Sequence, residues 1–433
     1  MNFNKLFTLA KEKGLEDIQV LYEETNSTDI TVYNGELDNV NVSRVSSLSA
    51  KALYKGRMAY YSTEEVSAKA FPKIVEELLN SAKILNSKDE EFIYEGDPKY
   101  KKLPFLFNKS LNEHSMDEKI ALVLKACNLL KAKANVVQSQ AGYEEAETTM
   151  IMINSKGLKV KNHRNYAELY AMPIVSKDND VRNEFAFYLS NNFEDFDAEK
   201  IANEAYERTV SMIGAKPVKS GKYNVVFSER TTASILGCFT SMFSSEAVQK
   251  GLSVLKGKVG ERIGSSKVTL VDDPFLKMSM QSTSCDSEGV ATQYKEIVKN
   301  GVLTNYFYNL KTAKKDGVKS TGNGFGGGAR PVNFHFKTGR KTKDEVIALA
   351  KDGLYITSLA GLHSGANSIN GQFSVQAAGY VIRDGKIAEP VALITVSDSF
   401  LNLLSNVKEV SNELANAFDS PAILVKGIAV AGL

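Results

Sequence analysis

The sequence predicts an α+β protein of two domains, built on mixed, largely antiparallel sheets with packed helices. Three observations lead there. Hairpin signals outnumber strand–helix–strand units, with Asn34-Gly35, Lys55-Gly56 and Asp384-Gly385 set between apolar runs of period two. Helical stripes are interspersed among the hairpins of the first half, whereas glycines and short strands concentrate in the second. At 433 residues the chain exceeds one ordinary core, and "GAKPVKSGKY" at 214–223 has the glycine, proline and lysine content of a linker. A boundary there divides an N-terminal α+β domain, residues 1–216, from a sheet-rich C-terminal domain, residues 217–433.

A short helix is expected over residues 3–10, then strands in "IQVLYEE" and "DITVYNGEL". Val40 and Val42 continue the alternation, and "ALYKGRMAYY" forms the next hairpin. A helix over residues 64–85 should be irregular at Pro72, which lacks the N–H a helix interior needs. Ser115 with Glu118 three residues on is a capping box. It opens a helix whose apolar stripe is Ile120, Val123, Leu124, Cys127 and Leu130, so Cys127 reads as a small core residue. "TTMIMINSKGLKVKN" is a hairpin whose first strand, apolar on both sides, is expected to be buried. A helix over 198–214 places Ile201, Ala205 and Met212 on one face. The second half opens with the strand "YNVVF" and a helix over 230–247, then continues as strands in "KVTLVDD", "GYVIRDGKI" and "PVALITV".

The net charge of +2 comes from 53 basic and 51 acidic residues that are interspersed along the chain. No basic stripe is left to displace counterions from a polynucleotide, so direct nucleic-acid binding is not expected. No apolar run approaches the ~20 residues of a membrane span, and the N-terminal apolar stretch is too short for a signal peptide. Cys127, Cys238 and Cys285 are odd in number and far apart, which fits a reducing compartment. The expectation is a cytoplasmic protein with no membrane partner.

Residues 320–331, "STGNGFGGGARP", place Gly322, Gly324 and Gly327 in a G-x-G-x-x-G pattern. A dinucleotide loop needs a buried strand before it and a helix after it. Here polar "TAKKDGVKS" precedes, and "ARPVNFHF", an edge-strand pattern carrying Pro331, follows. A tightly turning or mobile loop is expected instead. The four histidines, His114, His163, His335 and His363, include no i,i+4 pair that would present two imidazoles to zinc. His163 and His335 read as satisfied strand residues. Ser253 and Lys256 form S-x-x-K and residues 337–339 form K-T-G, but the S-D-N element that accompanies them in acyl-enzymes is missing.

The second half carries a string of ordered patterns: "CDSEGVATQYKEIVKNGVLTNYFYNLKTAKKDGVKSTGNG" (285–324), "RPVN" (330–333), "GANSINGQFSVQAAGYVIRDGKIAEPV" (365–391) and "SPAILVKGIAVAGL" (420–433). Together they resemble the TldD/PmbA family, long called modulators of DNA gyrase. The resemblance covers nearly the whole chain and is strongest from about residue 223 onward. It makes Thr321, Gly322 and Asn323 the family's T-G-N loop. Asp286, Ser287, Glu288 and Gly289 become its D-S/D-E-G element, and Arg330 with Asn333 its R-x-T-N element, with Val332 in place of the threonine. Asp286 and Glu288 read equally as a surface carboxylate pair, a cation site or a loop-fixing network. Asn367 and Gly371 read as turn residues that shape a hairpin.

The resemblance also implies a division of labour. TldD subunits carry H-E-x-x-x-H on a helix, with a cysteine near the C-terminus as a further zinc ligand. The metal polarises the peptide carbonyl and activates water while the glutamate moves the proton. PmbA subunits, also called TldE, lack that set. The comparable helix here is "TTASILGCFTSMFSSEAV", where Cys238, Phe239 and Phe243 stand at the first histidine, the glutamate and the second histidine. Both phenylalanines instead join Ile235, Leu236 and Met242 in an apolar stripe. The implied protein is a PmbA/TldE-type subunit with no cofactor of its own, zinc being supplied by a TldD-like partner. It would form a dimer, with that partner or with itself, and take unfolded peptide that pairs with a sheet edge. Two alternatives stay open. One is a self-sufficient metallohydrolase using Cys238, Cys285 and His363 as first ligands; the other is a non-enzymatic modulator that binds DNA gyrase.

Overall fold

The computed structural model describes residues 2–84, 91–277, 279–414 and 419–433. Its first half is one antiparallel seven-stranded sheet in the order Arg57–Thr63, Glu36–Tyr54, Asp17–Tyr33, Val136–Asn154, Lys159–Lys177, Asp180–Asn183, with Ala186–Ser190 also on Lys159–Lys177. The two strands expected at residues 18–37 are a single strand, Asp17–Tyr33. Its turn forms where the sequence places it: Asn34 and Gly35 have φ of 50° and 83°, and Lys55 and Gly56 have 50° and 73°. Positive φ at both turn positions gives a twist that matches the flanking strands.

Helices cover one face of this sheet. Asn4–Glu12 and Phe71–Ile84 bury Leu6, Ile74 and Leu78 on Ile18, Val20 and Leu48. Met116–Lys131 and Ala198–Val210 bury Val123, Cys127, Leu130 and Ile201 on Ile30, Val32, Ala141 and Tyr143. The Ser115–Glu118 capping box is present on both sides.

Three local expectations need correction. The helix expected from residue 64 begins at Phe71, so Pro72 falls in its first turn, where a missing N–H leaves no bond unmade. The far end expected for that helix, Leu85, lies outside the described residues. The strand through Met150, Ile151 and Ile153 is only partly buried: Ile151 and Ile153, opposite Tyr22 and Val20 on the helix-bearing face, and Met150 keep partial exposure, while Met152 on the other face is buried. The helix expected over 230–247 is three pieces: Glu229–Phe239, a 3-10 turn Thr240–Phe243 and Ser245–Gln249. The break has a cause. Phe243 and Ser245 exchange backbone hydrogen bonds with Phe307 (Phe307 N–H to Phe243 O 2.8 Å, Ser245 N–H to Phe307 O 2.9 Å), which takes those groups out of the helical ladder.

The second half holds a mixed seven-stranded sheet in the order Gly353–Ala360, Gly221–Phe227, Ile423–Ala431, Lys386–Ser399, Gln372–Arg383, Ala366–Asn367, with Val407–Val410 also on Ile423–Ala431. Gly353–Ala360 also pairs with Gln372–Arg383, so the sheet closes on itself. Its parallel strand pairing is Gly353–Ala360 with Gly221–Phe227, and a single parallel bridge joins Lys216 to Val391. A four-stranded sheet lies beside it in the order Val302–Leu303, Lys295–Lys299, Leu270–Asp272, Phe334–Phe336. "NFHF" is therefore an edge strand, as its pattern requires. The main core, with Phe227, Phe239, Phe243, Phe307, Phe336 and Phe400, sits between these sheets and the broken helix.

Candidate functional site

Phe239 and Phe243 are both fully buried. The Phe239 ring stacks on Phe400 with centroids 4.7 Å apart and lies 6.1 Å from Phe373. Phe243 stands edge-on to Phe334 at 5.3 Å and to Phe400 at 6.3 Å. Offset and edge-on packing at these distances is a well-formed aromatic core. Neither ring carries a lone pair for a metal, and neither faces a cavity. Cys238 is half-buried beside them, and burial pushes its thiol up, away from the thiolate that zinc needs. The side chains at these three positions do not fit a zinc ion.

The alternative ligand set is not assembled. Cys285 is buried against Met152, Leu158 and Val160 of the first half, its thiol pushed up to about 12 first by burial and then by Asp286. Cys238 packs on the main core of the second half, and His363 is exposed on the short helix Leu362–Gly365. Among the described residues no three His, Cys, Asp or Glu side chains come together as a metal-ligand group.

Most of the remaining predicted residues converge on one buried network, with Arg330 exposed at its margin and Asn367 apart from it. Asp286 is 1% exposed. Its Oδ1 accepts from the N–H groups of Glu288 and Val290, both at 2.9 Å, and its Oδ2 from Gly324 N–H at 2.8 Å. Burial, then the neighbouring Glu288 charge, raises its carboxyl to about 7 despite those three bonds. Glu288 accepts from Leu310 N–H at 2.7 Å and is raised mainly by burial. Of the three readings of this pair, the loop-fixing network describes it.

The same loop joins the two halves of the chain. Gln19 donates to Ser287 O at 3.1 Å, Tyr100 to Gly289 O at 2.7 Å, and Ala291 N–H to Asp97 Oδ2 at 2.7 Å. Arg164 donates to Met280 O at 2.7 Å. Gly289 has φ of 92°, a conformation that demands glycine, and a Cβ there would press on the Leu158 side chain, 2.6 Å from Cδ2.

Thr321, Gly322 and Asn323 are buried beneath this loop. Thr321 Oγ1 accepts from Tyr308 N–H at 2.8 Å and donates to Asn323 Oδ1 at 2.7 Å. Gly322, at φ of 70°, passes so close to Ala291 that a Cβ would meet its carbonyl at 2.5 Å. Asn323 Nδ2 donates to Asp272 Oδ2 and to Arg330 O, each at 2.9 Å. Asp272 is a hub the sequence did not disclose. Fully buried, it pairs with Lys295 at 3.0 Å and accepts from Val332 N–H and Asn333 N–H at 2.8 and 2.9 Å. Asn333 accepts from Ser279 at 2.6 Å and donates to Asp273 O at 2.6 Å and Ser282 Oγ at 3.2 Å. Arg330 is exposed, and its guanidinium lies over the turn at Gly326. The glycine run is thus a tight turn, with Gly324–Phe325 paired to Gly328–Ala329.

Asn367 is apart from this network. Its Oδ1 accepts from Ile369 N–H at 2.9 Å and its carbonyl from Gly371 N–H at 2.8 Å, which shapes the turn into Gln372–Arg383. His163 bonds Glu147 at 2.6 Å and stacks on Phe107, and His335 is buried against Asn333 O at 3.2 Å, so both are satisfied strand residues. Ser253 donates to Met242 O at 2.7 Å from a buried position, a structural bond.

Comparison with known proteins now bears on this geometry. Models of the PmbA/TldA metallopeptidase match the chain in order: domain 1 at residues 19–82, the central domain at 109–213 and the C-terminal domain at 220–432. The metalloprotease PmbA of Escherichia coli O157:H7 is 24% identical over 415 residues, spanning 94% of this chain and 89% of the relative. An uncharacterized protein of Methanocaldococcus jannaschii is 28% identical over 399 residues, 89% of each chain. The crystal structure of a candidate modulator of a DNA gyrase from Thermotoga maritima superposes with a TM-score of 0.92 at 34% identity over 99% of both chains. TldE from Thermococcus kodakarensis, at 24% identity, shares the fold with a TM-score of 0.87 over 99% of this chain and 100% of that one. Matched from residue 19 to 432 by the family's three successive domains, the chain belongs to the PmbA/TldA metallopeptidase family, the TldD/PmbA family.

Proposed function

We propose that this chain is a PmbA/TldE-type subunit of a metallopeptidase complex that degrades unfolded peptides, and that it holds no catalytic metal itself. The observation that carries the reading is the burial of Phe239 and Phe243 in an aromatic core at the place where a hydrolytic helix would present its ligands. A protein that does not cleave is left with a scaffolding role: a wall for the chamber in which a zinc-bearing, TldD-like subunit works. The partner is that subunit or a second copy, the site of action the cytoplasm, and zinc belongs to the partner. We also divide the chain into two domains at 214–223. That division is supported by the sheets, since the first ends at Ser190 and the others begin at Gly221.

The test is cleavage of an unstructured peptide by this chain alone, by a TldD-like subunit alone and by the mixture. Turnover that needs the mixture, or that rises on mixing, supports the reading. Efficient zinc-dependent cleavage by this chain alone refutes it. A pull-down that recovers gyrase and no peptidase subunit would move the assignment to the modulator reading.

A further inference from the structure

Arg230, the second residue of helix Glu229–Phe239, reaches across to the first half of the chain. Its guanidinium lies 4.9 Å from the ring centre of Phe185 and 5.0 Å from that of Phe187, two rings themselves stacked at 5.9 Å. A guanidinium held over aromatic faces keeps its in-plane N–H groups for other partners. Among the described residues, the half-buried Arg230 side chain makes no hydrogen bond and no ion pair. It lines a cavity of about 530 Å³ between the two halves, with Glu184 and Arg208 from the first and Lys343, Tyr355 and Asp419 from the second.

Some of the charges there are already matched. Arg208 pairs with Glu204 at 2.5 Å, and Lys343 with Glu229 at 3.1 Å. Other polar groups are not. Tyr355 is 8% exposed, its ring packed with Val226, Val346 and Leu424, yet its hydroxyl has no hydrogen-bond partner among the described residues. Leaving a buried phenol unpaired costs free energy that an incoming acceptor would recover. The Glu184 and Asp419 carboxyls likewise accept no hydrogen bond and form no ion pair among the described residues. Burial raises both, Asp419 to about 6, while Arg208 and Arg230 nearby oppose the shift.

We propose that this cavity binds an α-carboxylate, that of a free amino acid or of the last residue of a peptide. Arg230 and Tyr355 donate to the carboxylate, and Glu184 or Asp419 accepts from the ligand's nearest N–H. A planar guanidinium meets the two oxygens of a carboxylate as a bidentate fork, and a phenol adds a further donor. The unengaged carboxyls call for a ligand that also donates beside its negative charge, as an amino-acid end does. Inorganic phosphate fits less well, because it brings more negative charge among Glu184, Glu204, Glu229 and Asp419. The inference holds whether or not the chain serves a peptidase, and its test reads binding rather than cleavage.

The experiment is calorimetric titration of the full chain with tri-alanine, its C-terminal amide, free alanine and inorganic phosphate. Tri-alanine should bind, and its amide should bind at least about tenfold more weakly. Tyr355→Phe, which keeps the buried ring, and Arg230→Met should each weaken tri-alanine by about tenfold or more, with circular dichroism unchanged. Should Arg230→Met fail to fold, Arg230→Lys keeps the charge without the fork and should show the same loss. Free alanine binding as tightly as tri-alanine would identify the amino acid as the ligand, and much weaker alanine the peptide end; either supports the site. No binding of tri-alanine or alanine, equal binding of acid and amide, phosphate binding more tightly than either, or tri-alanine affinity that survives both Tyr355→Phe and the Arg230 variant would each overturn the proposal.

Discussion

Replacing Phe239 with glutamate, the residue a hydrolytic helix would carry there, measures how completely that position has become core. The ring is fully buried and stacked 4.7 Å from Phe400. Removing a buried phenylalanine costs about 3–5 kcal/mol through lost transfer energy and the cavity left behind. The incoming carboxylate finds no counter-ion in the cluster and adds several kcal/mol, or takes up a proton. The lower bound is therefore about 3 kcal/mol, and domains of roughly 200 residues lose about 2–4 °C per kcal/mol. Phe239→Glu should lower the calorimetric midpoint of the C-terminal half by at least about 6 °C, against about 1 kcal/mol or less for Cys238→His at a half-buried position. A Phe239→Glu midpoint within about 2 °C of the parent would mean the ring is not enclosed, and the argument for a core helix would fall.

Other consequences follow from the buried network. The Asp286 carboxyl is raised to about 7 in the folded chain, well above its unfolded value, so folding favours its neutral form. Stability should fall as pH rises from about 4 towards 7 and level off above it, and Asp286→Asn should flatten that slope in pH-dependent urea melts. Asp272→Ala strips Lys295 of its counter-ion and orphans three further donors; a loss of about 3–5 kcal/mol in urea denaturation is expected, and a loss below about 1 would show the hub is not buried in solution. Asn333→Ala removes three side-chain hydrogen bonds and should cost about 2–3 kcal/mol by the same measurement.

Much of the fold was legible because its signals are local. Asn34-Gly35 announces a hairpin since few other pairs accept positive φ at both positions, and Ser115–Glu118 announces a helix start since two side chains satisfy two N–H groups. The break after Phe239 was not legible. It depends on backbone bonds to Phe307, more than 60 residues away, while the helical stripe through Ile235, Leu236 and Met242 runs on regardless. The site behaved in the same way. The burial of Phe239 and Phe243 followed from their spacing with other apolar residues, as did the edge position of "NFHF". The hub at Asp272 and the clamp by Gln19, Asp97, Tyr100 and Arg164 did not. Tyr100 meets Gly289 across a separation of 189 residues, and no periodicity in either segment points to the other. A carboxylate at the end of a short strand reads as solvated until its donors are seen to converge.

The most direct measurement of the central claim is the zinc content of the purified full chain after loading with zinc and gel filtration, read beside that of a TldD-like subunit. Metal far below one equivalent in this chain, with stoichiometric metal in the other, is the predicted result. One equivalent of zinc that stays with this polypeptide and is lost on substituting any of its own side chains would contradict it.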